Sequence, residues 1–431
     1  MRNLIRKFSF LLLAIPLVCL FAVLLYQVPP VHDRLSWRLD NLRAQIDYTL
    51  HPPEKEVFVP QGAGSSTEGI ALAALLPTST LTPSPIPTRP GETPTPLPSS
   101  TPASTPTSLP PSVKLKGVVH EYQKWNNCGP ATLAMALSYW GWKGDQRDTA
   151  AVLKPNPRDK NVMPYELQSF VEDNAGLKAA IRYAGDLDTL KRFIAAGYPV
   201  IIEKGFEVPN EGWMGHYEVL TGYNDVTQFF TAQDSYIGPD LPVKYTELAQ
   251  FWRHFDYIFM VIYPADREAA VMSLLGPLAD ETASFQAAAV RASNEIPALD
   301  GRELFFAWYN RGTSLVKLQD YGGAAKAYDQ AWSIYATIDE KIRPWRMLWY
   351  QTGPYFAYYY TGRYQDVINL ATSTIDYASE PAIEESFYWR GLARLASGDT
   401  SGAIDDFKAT LTWHPGFQPG LTQLQQLGVQ P

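Results

Sequence analysis

Apolar positions follow different rules in successive stretches of this chain. From Phe8 to Val28 runs an uncharged apolar stretch of 21 residues, long enough at about 1.5 Å per residue to cross a hydrocarbon core about 30 Å thick. Arg2, Arg6 and Lys7 stand ahead of it. The pattern predicts an uncleaved signal-anchor: residues 1–7 cytoplasmic, residues 8–28 in the membrane, and everything after them on the extracytoplasmic side. A juxtamembrane segment, 29–76, follows. Within it Arg34, Leu35, Trp37, Leu39, Leu42 and Ile46 alternate as on an amphipathic helix, either interfacial or a plain spacer. Periodicity then vanishes over 77–112, where 12 of the chain's 35 prolines fall among Ser and Thr between Pro77 and Pro111. Such a stretch buries no core and favours extended conformations, so it reads as a disordered linker or stalk reaching up to about 110 Å.

Regular patterns resume at Val113. Leu133, Met135, Ala136, Leu137 and Trp140 form a helical apolar face that starts near Pro130 and stops at Gly141. Further helices are predicted over Met163 to Asn174, Asp186 to Ala196 and Tyr245 to His254. Strands are predicted at Lys178 to Ala184, Pro199 to Glu203, His216 to Asn224, Gln228 to Asp234 and Tyr257 to Tyr263. Helices precede an antiparallel sheet, so 113–264 reads as an α+β domain. Phe206 to Met214 reads as an insertion overhanging a cleft, with Trp213 a candidate substrate contact or, equally, a packing residue.

An alanine-rich stretch, 265–300, is expected to be a connecting helix or a divergent repeat. Over 301–420 the chain resembles itself in a frame of about 34 residues. Trp308, Gly312, Leu315, Ala324, Tyr328 and Ala331 are echoed by Phe387, Gly391, Ala403, Phe407 and Pro415, and more weakly by Tyr364, Val367 and Ala371. This resembles the tetratricopeptide repeat and implies an all-α helical repeat domain. The aromatic cluster from Trp345 to Tyr360 is expected to pack between repeats, with a peptide-binding face as the second reading.

Composition narrows the functions. With 36 basic and 44 acidic residues the net charge is −8, and no basic run suggests a nucleic-acid partner. Two cysteines, Cys19 and Cys128, rule out a disulfide framework and a cysteine-based zinc site. The histidines (32, 51, 120, 216, 254 and 414) show no metal-ligand spacing, and no cofactor is expected.

Candidate chemistry centres on Asn127-Cys128-Gly129-Pro130-Ala131. A thiol at a helix start faces unpaired N–H groups and the positive end of the dipole, both of which favour thiolate. A buried structural cysteine is the plain alternative. Downstream, in a hairpin turning at Asn224-Asp225, positions whose numbers sum to about 450 lie opposite one another. His216 and Asp234 would then face each other, a carboxylate holding an imidazole whose other nitrogen meets a nucleophile.

With Gly215-His216-Tyr217, Thr221-Gly222-Tyr223 and Asp234, these residues resemble the papain-like cysteine peptidases of the bacteriocin-leader-processing, or C39-like, family. The resemblance implies a papain-like fold, Cys128 as nucleophile, His216 as general base and acid, and Asp234 as the orienting carboxylate. It also implies a glutamine amide that helps the Cys128 N–H bind an oxyanion, for which Gln123 is the candidate. The expectation is therefore a membrane-anchored extracytoplasmic cysteine peptidase acting on a peptide or protein, with the repeat domain recruiting substrate or a protein partner. Alternatives are a degenerate scaffold that only binds peptides, or a thiol amidase or acyltransferase on the same triad.

Overall fold

The computed structural model describes residues 17, 20–52, 57–61, 109–208 and 211–431. About half of the membrane helix expected at 8–28 (residues 8–16, 18 and 19) lies outside these residues, as does nearly all of the linker. Among the described residues, no helix is long and apolar enough to cross a membrane. Helix α1 (Pro29–Leu50) is opened by prolines in its first turn. Its C-terminal end docks on the C-terminal region. There Tyr48 meets Trp345 edge-on, with ring centroids 5.2 Å apart, and accepts a hydrogen bond from Ser379 Oγ at 3.2 Å.

The α+β region follows in the order β1 (Ser112–Lys114), α2 (Cys128–Tyr139), α3 (Gln146–Leu153), α4 (Pro164–Asn174), β2 (Lys178–Arg182), α5 (Leu187–Ala195), β3 (Val200–Val208), β4 (Gly212–Asn224), β5 (Phe229–Asp234), β6 (Gly238–Lys244), α6 (Tyr245–Arg253) and β7 (Phe259–Tyr263). The strands form one antiparallel sheet ordered β2-β7-β3-β4-β5-β6, with β1 added beside β4. Alternation along the strands feeds two cores. Ile201, Tyr217, Val219 and Met260 pack with Leu133 and Leu137 of α2 and with Leu167 and Phe170 of α4. Val200, Ile202, Leu220 and Phe259 pack with α5 and α6 on the opposite face. Local chemistry marks the helix ends: Pro164 opens α4, while Asp186 caps α5 through Thr189 N–H at 2.7 Å.

Residues 206–208 and 212–214 belong to the β3–β4 pairing, which runs from Val200↔Leu220 to Val208↔Gly212. Gly212 turns at φ 77°, a conformation that favours glycine. The apolar run of β3 continues past Glu203 through Phe206 and Val208, which the sequence pattern broke too early.

After β7 the chain is helical: α7 (Glu268–Leu275), α8 (Glu281–Glu295), α9 (Gly301–Lys317), α10 (Tyr321–Tyr335), α11 (Met347–Tyr350), α12 (Gly353–Tyr360), α13 (Tyr364–Asp376), α14 (Glu384–Ala396), α15 (Thr400–Trp413) and α16 (Gln418–Gln426). Helices α9 and α10 pack as a pair, and so do α14 and α15. The two pairs share their details. A Cβ on Gly312 would sit 2.7 Å from the Tyr328 ring, and one on Gly391 2.7 Å from the Phe407 ring. The second helices are capped alike, Asp320 accepting from Gly323 N–H at 2.8 Å and Asp399 from Gly402 N–H at 2.9 Å.

One aromatic core joins this region to the sheet. Trp213, read as a candidate substrate contact or equally a packing residue, is only 1% exposed and packs in the interior. It stacks on Phe255, with centroids 5.9 Å apart, and meets Phe306 and Tyr350 of the helical region. Its indole N–H faces His254 Nδ1 at 3.1 Å, and its carbonyl accepts from Arg346 at 3.1 Å. The reason is directional: β4 sends Trp213 toward the helices, where a large ring buries more apolar surface than a solvent-facing site allows.

The loop that leads into α2 is pinned by one amide. Gln146 Oε1 accepts from Lys124 N–H and from Asn127 Nδ2, both at 2.9 Å. Its Nε2 donates to the Tyr122 carbonyl at 2.8 Å.

Two substitutions test this architecture by urea-unfolding midpoint. Trp213→Ala is expected to cost about 3–5 kcal/mol by opening the shared core; an unchanged midpoint would show that the two regions are not joined there. Gln146→Ala is expected to cost about 1–3 kcal/mol by leaving buried loop donors unpaired, and a neutral result would remove its role in holding the loop.

Candidate functional site

Cys128 is the first residue of α2, and its place is built locally. Asn126 adopts φ 50°, a left-handed conformation Asn tolerates better than most residues. Its carbonyl accepts from the buried Lys154 Nζ at 2.7 Å. Gly129 lets the helix approach the loop before α4, since a Cβ there would lie 3.3 Å from Val162 Cβ. Thr132 Oγ1 donates to the Tyr217 carbonyl at 3.0 Å, fastening the first turn to β4.

His216 lies inside β4, not at its start, and pairs with Lys204 of β3. Phe206 stacks on its ring, with centroids 4.6 Å apart and planes 26° apart. Asp234 ends β5 and is fully buried. Its Oδ1 accepts from the backbone N–H groups of Tyr236 and Ile237 at 2.7 and 2.8 Å.

The expected cross-strand register is corrected. The ladder shows Val219↔Gln233 after an irregularity between Leu220 and Gly222. Extended by one residue it sets Asp234 beside Glu218, so His216 is a diagonal neighbour and not the direct partner. A slip of two positions keeps side chains on the same face, where a slip of one would have separated them. His216 Nε2 therefore still lies 3.2 Å from Asp234 Oδ1. The N–H is not aimed well enough for a regular hydrogen bond, so the attraction there is ionic. His216 also lies close enough to the Cys128 thiol for each to shift the other's proton affinity.

Electrostatics separate the proton affinities of the pair. Burial pushes the Cys128 thiol up, but the hydrogen bond and charge of His216 outweigh it and bring the thiol below its ordinary value. Burial alone would lower His216. The carboxylate of Asp234 and the sulfur of Cys128 raise it instead to about 10. For Asp234, burial is overcome by His216, the Ile237 N–H and Lys204, which hold its carboxyl well below the usual range. The lowered thiol and the raised imidazole both pull the pair toward thiolate beside imidazolium, with the Asp234 carboxylate alongside. Glu203, also buried nearby, is pushed far up by its enclosure and by the Cys128 charge, so it stays protonated and adds no competing charge.

Gln123 sits on the loop before α2 and is bound to the segment that carries Asp234. Its N–H donates to the Ser235 carbonyl at 2.8 Å, and its Oε1 accepts from Ser235 Oγ at 2.8 Å. That anchor leaves Nε2 as the end available to a ligand. The Cys128 N–H is one of the first four in its helix and has no intrahelical acceptor.

Other contributors went unread in the sequence. Phe206 was assigned to an insertion, and Ser235 and Gln146 carried no motif. Tyr350 belongs to the helical region, yet its ring lies 2.7 Å from where a Gly215 Cβ would be, one residue from His216. Continuing the β3 alternation beyond Glu203 would have found Phe206; nothing local marks the other three.

The model of the Peptidase_C39 like family matches residues 115–258. A comparison with curated proteins gives no match. Among solved structures, the chain is similar to a protein described as a C39-like peptidase from Bacillus anthracis, at 20% identity, TM-score 0.29, covering 35% of this chain and 96% of that one. It is similar to a double glycine motif protease from an AMS/PCAT transporter, in complex with the leader peptide, at 22% identity and TM-score 0.26, covering 36% and 95%. It is also similar to xylellain, a cysteine protease from Xylella fastidiosa, at 16% identity and TM-score 0.30, covering 37% and 87%. Residues 115–258 are thus a C39-like peptidase domain, continued on its C-terminal side by a helical region.

Proposed function

We propose that this domain cleaves peptide bonds with Cys128 as nucleophile, His216 as general base and acid, and Asp234 as the group that holds the imidazole. The Cys128 thiolate attacks the scissile carbonyl, and the resulting oxyanion is met by the Cys128 N–H and Gln123 Nε2. The His216 imidazolium protonates the departing amine. Water, deprotonated by His216, then releases the acyl group. The observation that carries this reading is the chain of contacts from the Cys128 thiol to His216 to Asp234 at the start of α2.

The wider reading is a membrane-anchored, extracytoplasmic enzyme whose helical region recruits substrate or a protein partner. Leu35, Leu39, Leu42 and Ile46 leave an exposed apolar stripe along α1, which suits contact with a bilayer surface. The shared glycine–aromatic crossings of α9–α10 and α14–α15 support a tetratricopeptide-like array.

Thiol labelling tests the triad in the full chain. Iodoacetamide is expected to modify Cys128 rapidly, His216→Ala to slow the reaction at least about 100-fold, and Cys128→Ser to abolish peptide hydrolysis. Slow labelling that ignores His216→Ala would instead leave a peptide-binding scaffold. The pH profile tests Asp234. Peptide hydrolysis should rise as the lowered thiol ionises and fall as His216, which protonates the departing amine, loses its proton near pH 10. Asp234→Asn removes the charge that favours imidazolium, so the alkaline limb should move down in pH. The thiolate loses support at the same time, so the acid limb should move up. An unshifted profile would deny Asp234 its orienting role.

A further inference from the structure

A second cluster of titratable side chains lies between the peptidase domain and the helical region, apart from the candidate triad. Asp159 comes from the loop between α3 and α4, Glu384 from the first residue of α14, and His414 from the end of α15. His414 Nδ1 is 2.7 Å from Glu384 Oε1 and 3.9 Å from Asp159 Oδ2. One donor atom from each residue falls within 4.8 Å of the others. Asp159 and Glu384 are each only 3% exposed, and Glu384 Oε2 is enclosed with no hydrogen-bond partner. A buried carboxylate oxygen without a donor is costly to keep, so an unused one at the junction of three potential ligands points to a missing cation.

We propose that Asp159, Glu384 and His414 bind a divalent transition-metal ion of the zinc class and so clamp the peptidase loop to α14 and α15. Ligand distances near 2.1 Å allow two donors on one ion to be at most about 4.2 Å apart. His414 Nδ1 is within that range of both carboxylates, and the widest pair needs to close by less than about 1 Å. An imidazole nitrogen with two carboxylate oxygens suits Zn²⁺ better than Mg²⁺, which prefers oxygen alone. Binding takes the place of any proton on Nδ1, which passes to Nε2 or to solvent. Neighbouring contacts already join the same surfaces: Lys160 N–H donates to the Ala382 carbonyl at 3.1 Å, and Arg158 pairs with Glu380 at 3.3 Å. The loop also follows Lys154, whose ammonium holds the Asn126 carbonyl just before Cys128. A metal here would therefore steady the approach to the nucleophile without touching it.

The test uses the purified full chain, stripped with a chelator and dialysed against Zn²⁺ or Mg²⁺. Bound metal and the thermal midpoint are the readouts. About one Zn²⁺ per chain with a raised midpoint is expected, with no such effect from Mg²⁺. Glu384→Gln and Asp159→Asn approach the site from opposite sides of the interface. Each should weaken zinc binding at least about 10-fold, while zinc-free melts show that both variants fold. The proposal is overturned if the parent binds no more zinc than the variants, which would make the cluster a proton-sharing contact only.

Discussion

Everything at the candidate site depends on keeping an imidazolium charged where almost no water reaches it. His216 is 2% exposed, and burial by itself would strip its proton. Asp234 supplies the opposing charge. It can remain ionised in the interior because the charge of His216 faces it and two backbone N–H groups point at its Oδ1. The Cys128 thiol at the start of α2, whose proton affinity His216 lowers, stands at the other end of this line. Phe206 covers one side of the ring, excluding water and strengthening every interaction in the line. The same arrangement explains why Glu203, buried close by without a cation, is pushed toward its neutral form.

The helical region shares a core with the peptidase domain. Trp213 and Phe255 from the sheet side lie in one core with Phe305, Phe306, Tyr309 and Tyr350 from the helices. Polar contacts trace the same border: Asn310 Nδ2 donates to the Arg253 carbonyl at 2.6 Å, Gln351 Nε2 to the His254 carbonyl at 2.8 Å, and Glu303 pairs with Arg253 at 2.8 Å. Because Tyr350 packs against Gly215, a shift of the helices would be felt next to His216. A ligand held on the helical region therefore has a short physical route to the site, through a packed ring and one glycine backbone.

Much was legible in the chain itself because it rests on local physics. Pro164 ahead of α4, Asp186 capping α5 and Gly197 after it mark boundaries through φ restriction and orphan N–H groups that act within one turn. Cys128 beside Gly129 and Pro130 announces a helix start, and the alternation around His216 announces a strand. The glycine–aromatic spacing of Gly312 with Tyr328 and Gly391 with Phe407 records where helices cross, since only a residue without Cβ admits the ring.

What the fold alone decided depends on distance along the chain. The turn between Asn224 and Phe229 and the irregularity after Leu220 together set Asp234 diagonal to His216 and not opposite it, and no single residue announces such a shift because register is settled by pairing over whole strands. Trp213 turned from a candidate substrate contact into an interior anchor because its burying partners lie on helices far downstream. Asp159, Glu384 and His414 have no ligand spacing in the sequence; only the docking of α14 and α15 on the α3–α4 loop gathers them. Local chemistry wrote the elements, while charge and aromatic burial between remote segments chose which of them meet.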